Sequence, residues 1–243
     1  MPNVWLAIPS ARPANEVDAT LDHWRMQGYQ IALYLDADRE GQVVPQADVQ
    51  MFGEYEGYAK ACNLLVKYLI EHDPDAQWFV CAGDDTLPDP SKTAEEIAAE
   101  CEEHFGGTFG VLQCTGHRWG ENEAWARQMH PDAAAYIDRI CGSPFIGREF
   151  ARRAYQGFGP WWPEFPHMFA DEHLQNVANK LGILWQRRDL THFHNHWGLT
   201  GDASRMPAFL AKANTPEHWS ESKAIFDRLK AGGFKEAEDL LPA

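Results

Sequence analysis

The run Trp78-Phe79-Val80-Cys81-Ala82-Gly83-Asp84-Asp85-Thr86-Leu87-Pro88-Asp89-Pro90 constrains this chain more than any other stretch. It opens with large apolar and sulfur-bearing side chains, the pattern of a central strand covered on both faces. The run stops at Gly83, two carboxylates follow at once, and Pro88 and Pro90 keep the strand from continuing. The carboxylates are thereby expected at the carboxyl end of a strand, where α/β proteins place their ligands. Adjacent aspartates repel each other unless positive charge lies close by. A hard divalent cation with oxygen ligands meets that need and also holds phosphate oxygens. The ordinary alternative is a solvated acidic turn.

The pattern before this run is β-α-β. Val4 to Ile8 reads as an apolar strand ending in the polar loop Pro9-Ser10-Ala11-Arg12-Pro13. Asn15 is the expected N-cap of a helix with Val17, Leu21 and Trp24 on one face and Gly28 as its stop. Ile31 to Leu35 is a second strand, ending at Asp36-Ala37-Asp38. Residues 39–57 read as irregular. Cys62, Leu65, Val66 and Leu69 then mark a helical stripe.

After the Asp pair, Thr93 and Glu96 form a capping box for a helix with Ile97, Cys101 and Phe105 on one face. A further strand runs from Phe109 to Cys114. Residues 115–170 show little periodicity. A helix opened by Asp171-Glu172 carries Leu174, Val177, Ala178 and Leu181, with Gly182 closing it. Strand character resumes at Ile183, and the tail holds a last amphipathic helix with Trp219, Ile225, Phe226 and Leu229. Strands and helices that alternate argue for a mainly parallel sheet flanked by helices. No G-x-G-x-x-G follows the first strand, and there is no Walker A motif.

Composition narrows the function. A formal net charge of −15 argues against broad, non-specific nucleic-acid binding, which needs a basic surface. The basic clusters, Arg148, Arg152 and Arg153 with Arg187 and Arg188, are candidates for phosphate contacts or ordinary solvated charge. Cys62, Cys81, Cys101, Cys114 and Cys141 make no C-x-x-C and read as reduced core thiols of a cytoplasmic protein. The amino terminus opens on a strand with no basic region and apolar run ahead of it. No signal peptide and no membrane partner are expected.

Three groups of side chains carry candidate chemistry: Asp84-Asp85 after the buried strand, Asp171-Glu172 at a helix start, and His192, His194 and His196 alternating by two. In an extended segment that spacing puts the imidazoles on one face. Imidazole and carboxylate together suit Mn²⁺ or a similar ion. Acidic residues also favour helix N-termini for purely structural reasons. Between residues 155 and 169 lie six aromatic rings, among them Trp161 and Trp162. They read either as a stacking platform for an acceptor or as the packing of a loop-rich region.

The order of these features resembles the nucleotide-sugar glycosyltransferases of the GT-A fold, especially the inverting family 2 type, over about residues 3 to 230. Trp5-Leu6-Ala7-Ile8-Pro9-Ser10 looks like their first strand and donor loop. Gly57-Tyr58-Ala59-Lys60-Ala61-Cys62-Asn63 resembles the Gly…Asn stretch before their central strand. Ala82-Gly83-Asp84-Asp85-Thr86-Leu87-Pro88 looks like their D-x-D loop, and Asp171-Glu172-His173-Leu174 with Gly182 resembles their acidic helix start. Two positions depart from the pattern. Gly83 stands at the first Asp of D-x-D, and Ala170 stands where the family usually has Glu.

The resemblance implies one GT-A domain over residues 1–243, with a nucleotide-sugar half to about 115 and an acceptor half from about 116. It implies Mn²⁺ or Mg²⁺ on Asp85 and His194, with His192 and His196 as rivals. It implies donor contacts from Pro9, Ser10, Arg12, Lys60, Asn63, Asp84 and Asp85, with Asp36 or Asp38 toward base or ribose. Asp171, or Glu172, is the implied catalytic base; Trp161 and Trp162, from the aromatic run, are the candidate acceptor contacts. The implied donor is a nucleoside-diphosphate sugar. The implied acceptor is a hydroxyl on a glycan or on a hydroxymethylated base in DNA, as in phage-type enzymes. A two-metal phosphoesterase or nuclease and a non-catalytic carbohydrate-binding protein are the competing readings.

Overall fold

A computed structural model of the chain describes residues 3–115, 141–194 and 215–240. Strands β1 (Asn3–Ser10), β2 (Gln30–Asp36), β3 (Val49–Gly53), β4 (Ala76–Cys81), β6 (Val111–Thr115), β7 (Phe145–Gly147) and β8 (Leu184–Thr191) form one seven-stranded sheet. Its order is β3-β2-β1-β4-β7-β6-β8. β1 pairs in parallel with β2 and β4, β2 with β3, and β6 with β8. Only β7 runs against its neighbours in this sheet. The fold is thus a mixed, mainly parallel, Rossmann-like α/β sheet flanked by helices, as the alternating pattern implies. A second sheet has two strands, β5 (Thr86–Leu87) and β9 (Phe193–His194).

The continuous apolar runs are explained by burial on both faces. Along β1, Val4, Leu6 and Ile8 join one core with Val17, Leu21 and Trp24 of α1 (Ala14–Met26) and Ile97 and Cys101 of α3 (Ala94–Phe105). Trp5 and Ala7 point to the other core, with Leu65, Val66 and Leu69 of α2 (Tyr58–His72) and Leu174 and Val177 of α5 (Ala170–Leu181). Two further helices, α4 (Arg148–Arg153) and α6 (Pro216–Ala231), lie on that second side, where Phe150, Phe226 and Leu229 join the core. All five cysteines are buried free thiols. No described helix is long and apolar enough to cross a membrane.

Several local expectations hold. Thr93 and Glu96 make both bonds of the capping box, and Gly106 and Gly182 end their helices in the left-handed conformation. Others need correction. Asn15 does not cap α1. The helix starts at Ala14, so the cap position falls two residues before Asn15, at Pro13, whose carbonyl accepts from the N–H groups of Glu16 and Val17. The stretch 39–57 is not wholly irregular, because it contains β3. That strand is half-buried along its length, as befits a sheet edge, so it shows no alternation to read. β7 was also hidden, being three residues long. Gly147 is essential to it, since a Cβ there would lie 2.1 Å from the Thr108 carbonyl oxygen.

Candidate functional site

β1, β2 and β4 end at the same edge of the sheet, so the loops after them share one crevice. Ser10 stands opposite Leu35, which puts Asp36 beside the loop Ser10–Arg12. Pro9 fits because the β4 pairing stops at Ala7, leaving no ladder to interrupt on that side. After β4 the chain turns sharply, with the Thr86 N–H donating to the Gly83 carbonyl at 3.0 Å. A Cβ on Gly83 would lie 2.8 Å from Asp85 Oδ1. Glycine at the first position of the motif therefore leaves room for the second carboxylate.

The two aspartates are kept apart by separate partners. Asp84 is buried; its Oδ2 accepts from Ser10 Oγ at 2.6 Å, and Arg12 Nε lies 3.0 Å from its Oδ1. Burial pushes the Asp84 carboxyl up from the ordinary value, opposed by the Ser10 hydroxyl and by Arg12 and reinforced by Asp85. The Ser10 hydroxyl also accepts from the Arg12 N–H at 3.1 Å, so loop and carboxylate form one unit. Asp85 turns the other way. Its Oδ1 lies 3.0 Å from His194 Nε2. The antiparallel pairing of Thr86 with His194 and of Leu87 with Phe193 makes this possible. The side chains of Asp85 and His194 stay 14% and 28% exposed, within reach of a ligand.

His192 is different in kind. It is fully buried, edge-on to Trp24 at 5.2 Å and tilted against Phe145. Its Nδ1 bonds to the Ser143 carbonyl at 3.0 Å, which makes Nδ1 the donor, and Nε2 lies 3.6 Å from Cys114 Sγ. Burial lowers its pKa to about 4. The expectation that the alternating histidines present one common face thus fails at His192, which falls in the break between β8 and β9 and belongs to the core. His196 lies outside the described residues.

The resemblance-based donor and acceptor contacts are only partly brought to this crevice. Lys60 is on the solvent side of α2, paired with Glu56 at 2.7 Å. Asp38 is largely exposed and lies 3.7 Å from Arg39. Asn63 is a correction. It is buried, its Nδ2 donates to the Trp161 carbonyl at 2.8 Å, and its Oδ1 accepts from the Trp161 N–H at 2.9 Å. Gly57 works toward the same end: a Cβ there would lie 2.1 Å from the Pro166 carbonyl oxygen, and φ is +113°. The Gly57…Asn63 stretch therefore fastens the 161–166 loop onto α2. Trp161 is 1% exposed and packs edge-on to Tyr58 at 5.7 Å, so it is core and not a platform. Trp162 is half-buried against Tyr155.

Asp171 and Glu172 open α5, as the sequence indicates. The Asp171 Oδ1 accepts from the Glu172 N–H at 2.9 Å. The N–H groups of a helix start lower the pKa of a nearby carboxyl. At Asp171 burial instead raises it, outweighing the N–H groups of Glu172 and of Asp171 itself. Phe169, just before the helix, has φ +66°, a conformation a bulky residue rarely adopts. The basic clusters are engaged in the fold. Arg148 donates to the carbonyls of Ile70, Asp73 and Ala76, Arg152 and Arg153 bind Glu149, and Arg187 binds Glu100 and Asp189.

Sequence reasoning did not single out Asp89. Its carboxylate accepts from the N–H groups of Ser91 at 2.8 Å and Thr191 at 2.6 Å, tying the loop after β5 to the end of β8. The Asp-x-Ser spacing signals the first bond as an Asx turn; nothing local signals the second.

Among the described residues, no three His, Cys, Asp or Glu side chains converge as a metal-binding group. The donor chemistry of the Asp85–His194 pair, one carboxylate oxygen and one imidazole nitrogen, is compatible with a divalent ion such as Mn²⁺.

No protein-family model matches the chain, and no curated protein matches it. Among solved structures, it is similar to a mycobacterial protein at 10% identity and a TM-score of 0.49, over 82% of this chain and 70% of that one. It is similar to A197 from STIV at 11% identity and a TM-score of 0.46, over 81% and 86%. Rv0371c from Mycobacterium tuberculosis matches 47% of this chain and 66% of that one, at 18% identity and a TM-score of 0.30.

Proposed function

We propose that the protein is a metal-dependent, inverting glycosyltransferase of GT-A type, moving a sugar from a nucleoside diphosphate to an acceptor hydroxyl. The observation that carries the reading is the 3.0 Å approach of Asp85 to His194 beside the Ser10–Arg12–Asp84 unit, at the carboxyl edge of a parallel sheet. Asp85 and His194 are the residues that would hold Mn²⁺ or Mg²⁺. A bound cation supplies positive charge for the departing diphosphate. Arg12, organised by Asp84, lends further charge to the same crevice, and Asp36 at the end of β2 is the proposed base or ribose contact.

Asp171 is the proposed base. It takes the proton of the acceptor hydroxyl as that oxygen attacks the anomeric carbon, and one base with direct displacement inverts the configuration. Its raised pKa makes it a stronger proton acceptor than an ordinary Asp while ionised. Of the two acceptor classes, the glycan is favoured here. The net charge is −15, and Arg148, Arg152, Arg153 and Arg187 have carboxylate or carbonyl partners within the fold.

A thermal-shift screen of nucleoside diphosphates with and without Mn²⁺ tests the reading, because a ligand that binds only the folded state raises the melting temperature. One or more diphosphates should stabilise the protein in Mn²⁺ and lose that effect in chelator. Tight binding of two metal ions per chain without nucleotide would point to the phosphoesterase class instead.

A further inference from the structure

We propose that Trp24 is a positioning residue that holds Asp85 against His194. The proposal rests on reading those two as the cation ligands. Trp24 lies in α1 and is fully buried. Its indole N–H donates to the Thr86 carbonyl at 2.9 Å. Thr86 directly follows Asp85 and is the residue paired with His194. The same indole packs edge-on to His192 at 5.2 Å and 74°. His192 is two residues before His194 and is pinned to the Ser143 carbonyl. One side chain thus contacts Thr86 in one arm of the ladder that brings carboxylate and imidazole together, and His192 just before the other arm.

That ladder needs outside support. A two-residue pairing has little stability of its own, and it belongs to neither edge of the main sheet. Trp24 is fixed from behind by Tyr29, edge-on at 4.8 Å. Asp89 adds a second tie by accepting from the Thr191 N–H. Trp78 provides the contrast. It is equally buried in the same core, but it packs on Phe105 and its Nε1 has no hydrogen-bond partner among the described residues. Core packing alone therefore does not require the indole N–H; the Thr86 carbonyl does.

The test compares wild type, Trp24→Phe and Trp78→Phe. Two quantities are read: amide-exchange protection over the two-stranded ladder, residues 86–87 and 193–194, by NMR without metal, and Mn²⁺ affinity by calorimetry. Trp24→Phe should lose at least about ten-fold in both, a loss matching one missing hydrogen bond of about 1.4 kcal/mol. Trp78→Phe should keep both, and nucleotide affinity in chelator should be the same in all three. Equal losses in the two variants, or a weakened ladder with Mn²⁺ affinity intact, would overturn the proposal. A wild type that binds no Mn²⁺ would defeat the cation reading alone, and the exchange arm would still decide whether Trp24 holds the pair. If Trp24→Phe folds poorly, benzothienylalanine at position 24 keeps the bicyclic shape, removes only the N–H donor, and carries the same expectations.

Discussion

Asp85 Oδ1 and His194 Nε2 face each other at 3.0 Å, joined by the pairing of the strands that begin just after one and end at the other. Asp84, one residue earlier, faces Ser10 and Arg12 instead. Two adjacent carboxylates that would repel each other thereby have different nearest partners, Ser10 and Arg12 for one and His194 for the other. Asp84 organises the loop after β1, and Asp85 is the member with a histidine beside it.

Gly83→Ala should move the Asp85 carboxylate, because the new Cβ would lie 2.8 Å from its Oδ1. The carboxylate end can rotate away, so the cost in stability should be small, below about 1 kcal/mol. Metal-dependent nucleotide affinity should fall by about ten-fold or more. Calorimetry alongside a thermal melt checks this; an unchanged affinity would show that the position of Asp85 does not matter.

Asn63→Ala should destabilise the fold and leave the donor site alone. The substitution strands the buried Trp161 N–H and carbonyl, at about 1–3 kcal/mol each. Urea unfolding should show that loss while nucleotide affinity stays at the wild-type value. A selective loss of nucleotide binding would return Asn63 to the donor site.

Stability should fall as pH drops from about 6.5 to about 4. His192 is buried neutral with its pKa lowered to about 4, so below 6.5 the unfolded chain binds a proton the folded chain refuses. Its contribution is fully present above pH 6.5 and lost toward pH 4. At about 1.4 kcal/mol per pH unit this is roughly 3 kcal/mol. Urea melts at pH 7 and pH 5 should show a steeper pH dependence in wild type than in His192→Phe. Equal dependence in the two would contradict the assignment.

Asp171→Asn should lower transfer by about 10²–10⁴ with donor affinity nearly unchanged. Because burial raises the Asp171 pKa, the acid limb of kcat/KM should lie above the ordinary carboxylate value of about 3.9. If Glu172→Gln abolishes transfer and Asp171→Asn does not, the base is Glu172.

Much of the frame was legible because it rests on burial. The apolar runs 4–8, 31–35 and 78–82 announce strands covered on both faces, and the Thr93–Glu96 capping box is a local signal that needs no tertiary context. The Gly83-Asp84-Asp85 turn also follows from sequence order, while His194 stands with His192 and His196 as rivals, and the structure puts Asp85 and His194 together. What could not be read depends on contacts distant in sequence. Asn63 looks like a polar site residue until Trp161 is placed against it. His192 and His194 have equivalent spacing, and only the core around Trp24 makes the first a buried hydrogen-bond donor. Asp171 sits at a helix start that should lower its pKa, and only its burial reverses the direction.

Calorimetry of nucleoside-diphosphate binding to wild type, Asp85→Ala and His194→Ala, each in Mn²⁺ and in chelator, tests the central claim most directly. Binding by wild type should be at least about ten-fold tighter in Mn²⁺, and each substitution should reduce its affinity in Mn²⁺ to the chelator value. Equal wild-type affinity in Mn²⁺ and chelator, or metal dependence that survives both substitutions, would contradict the account.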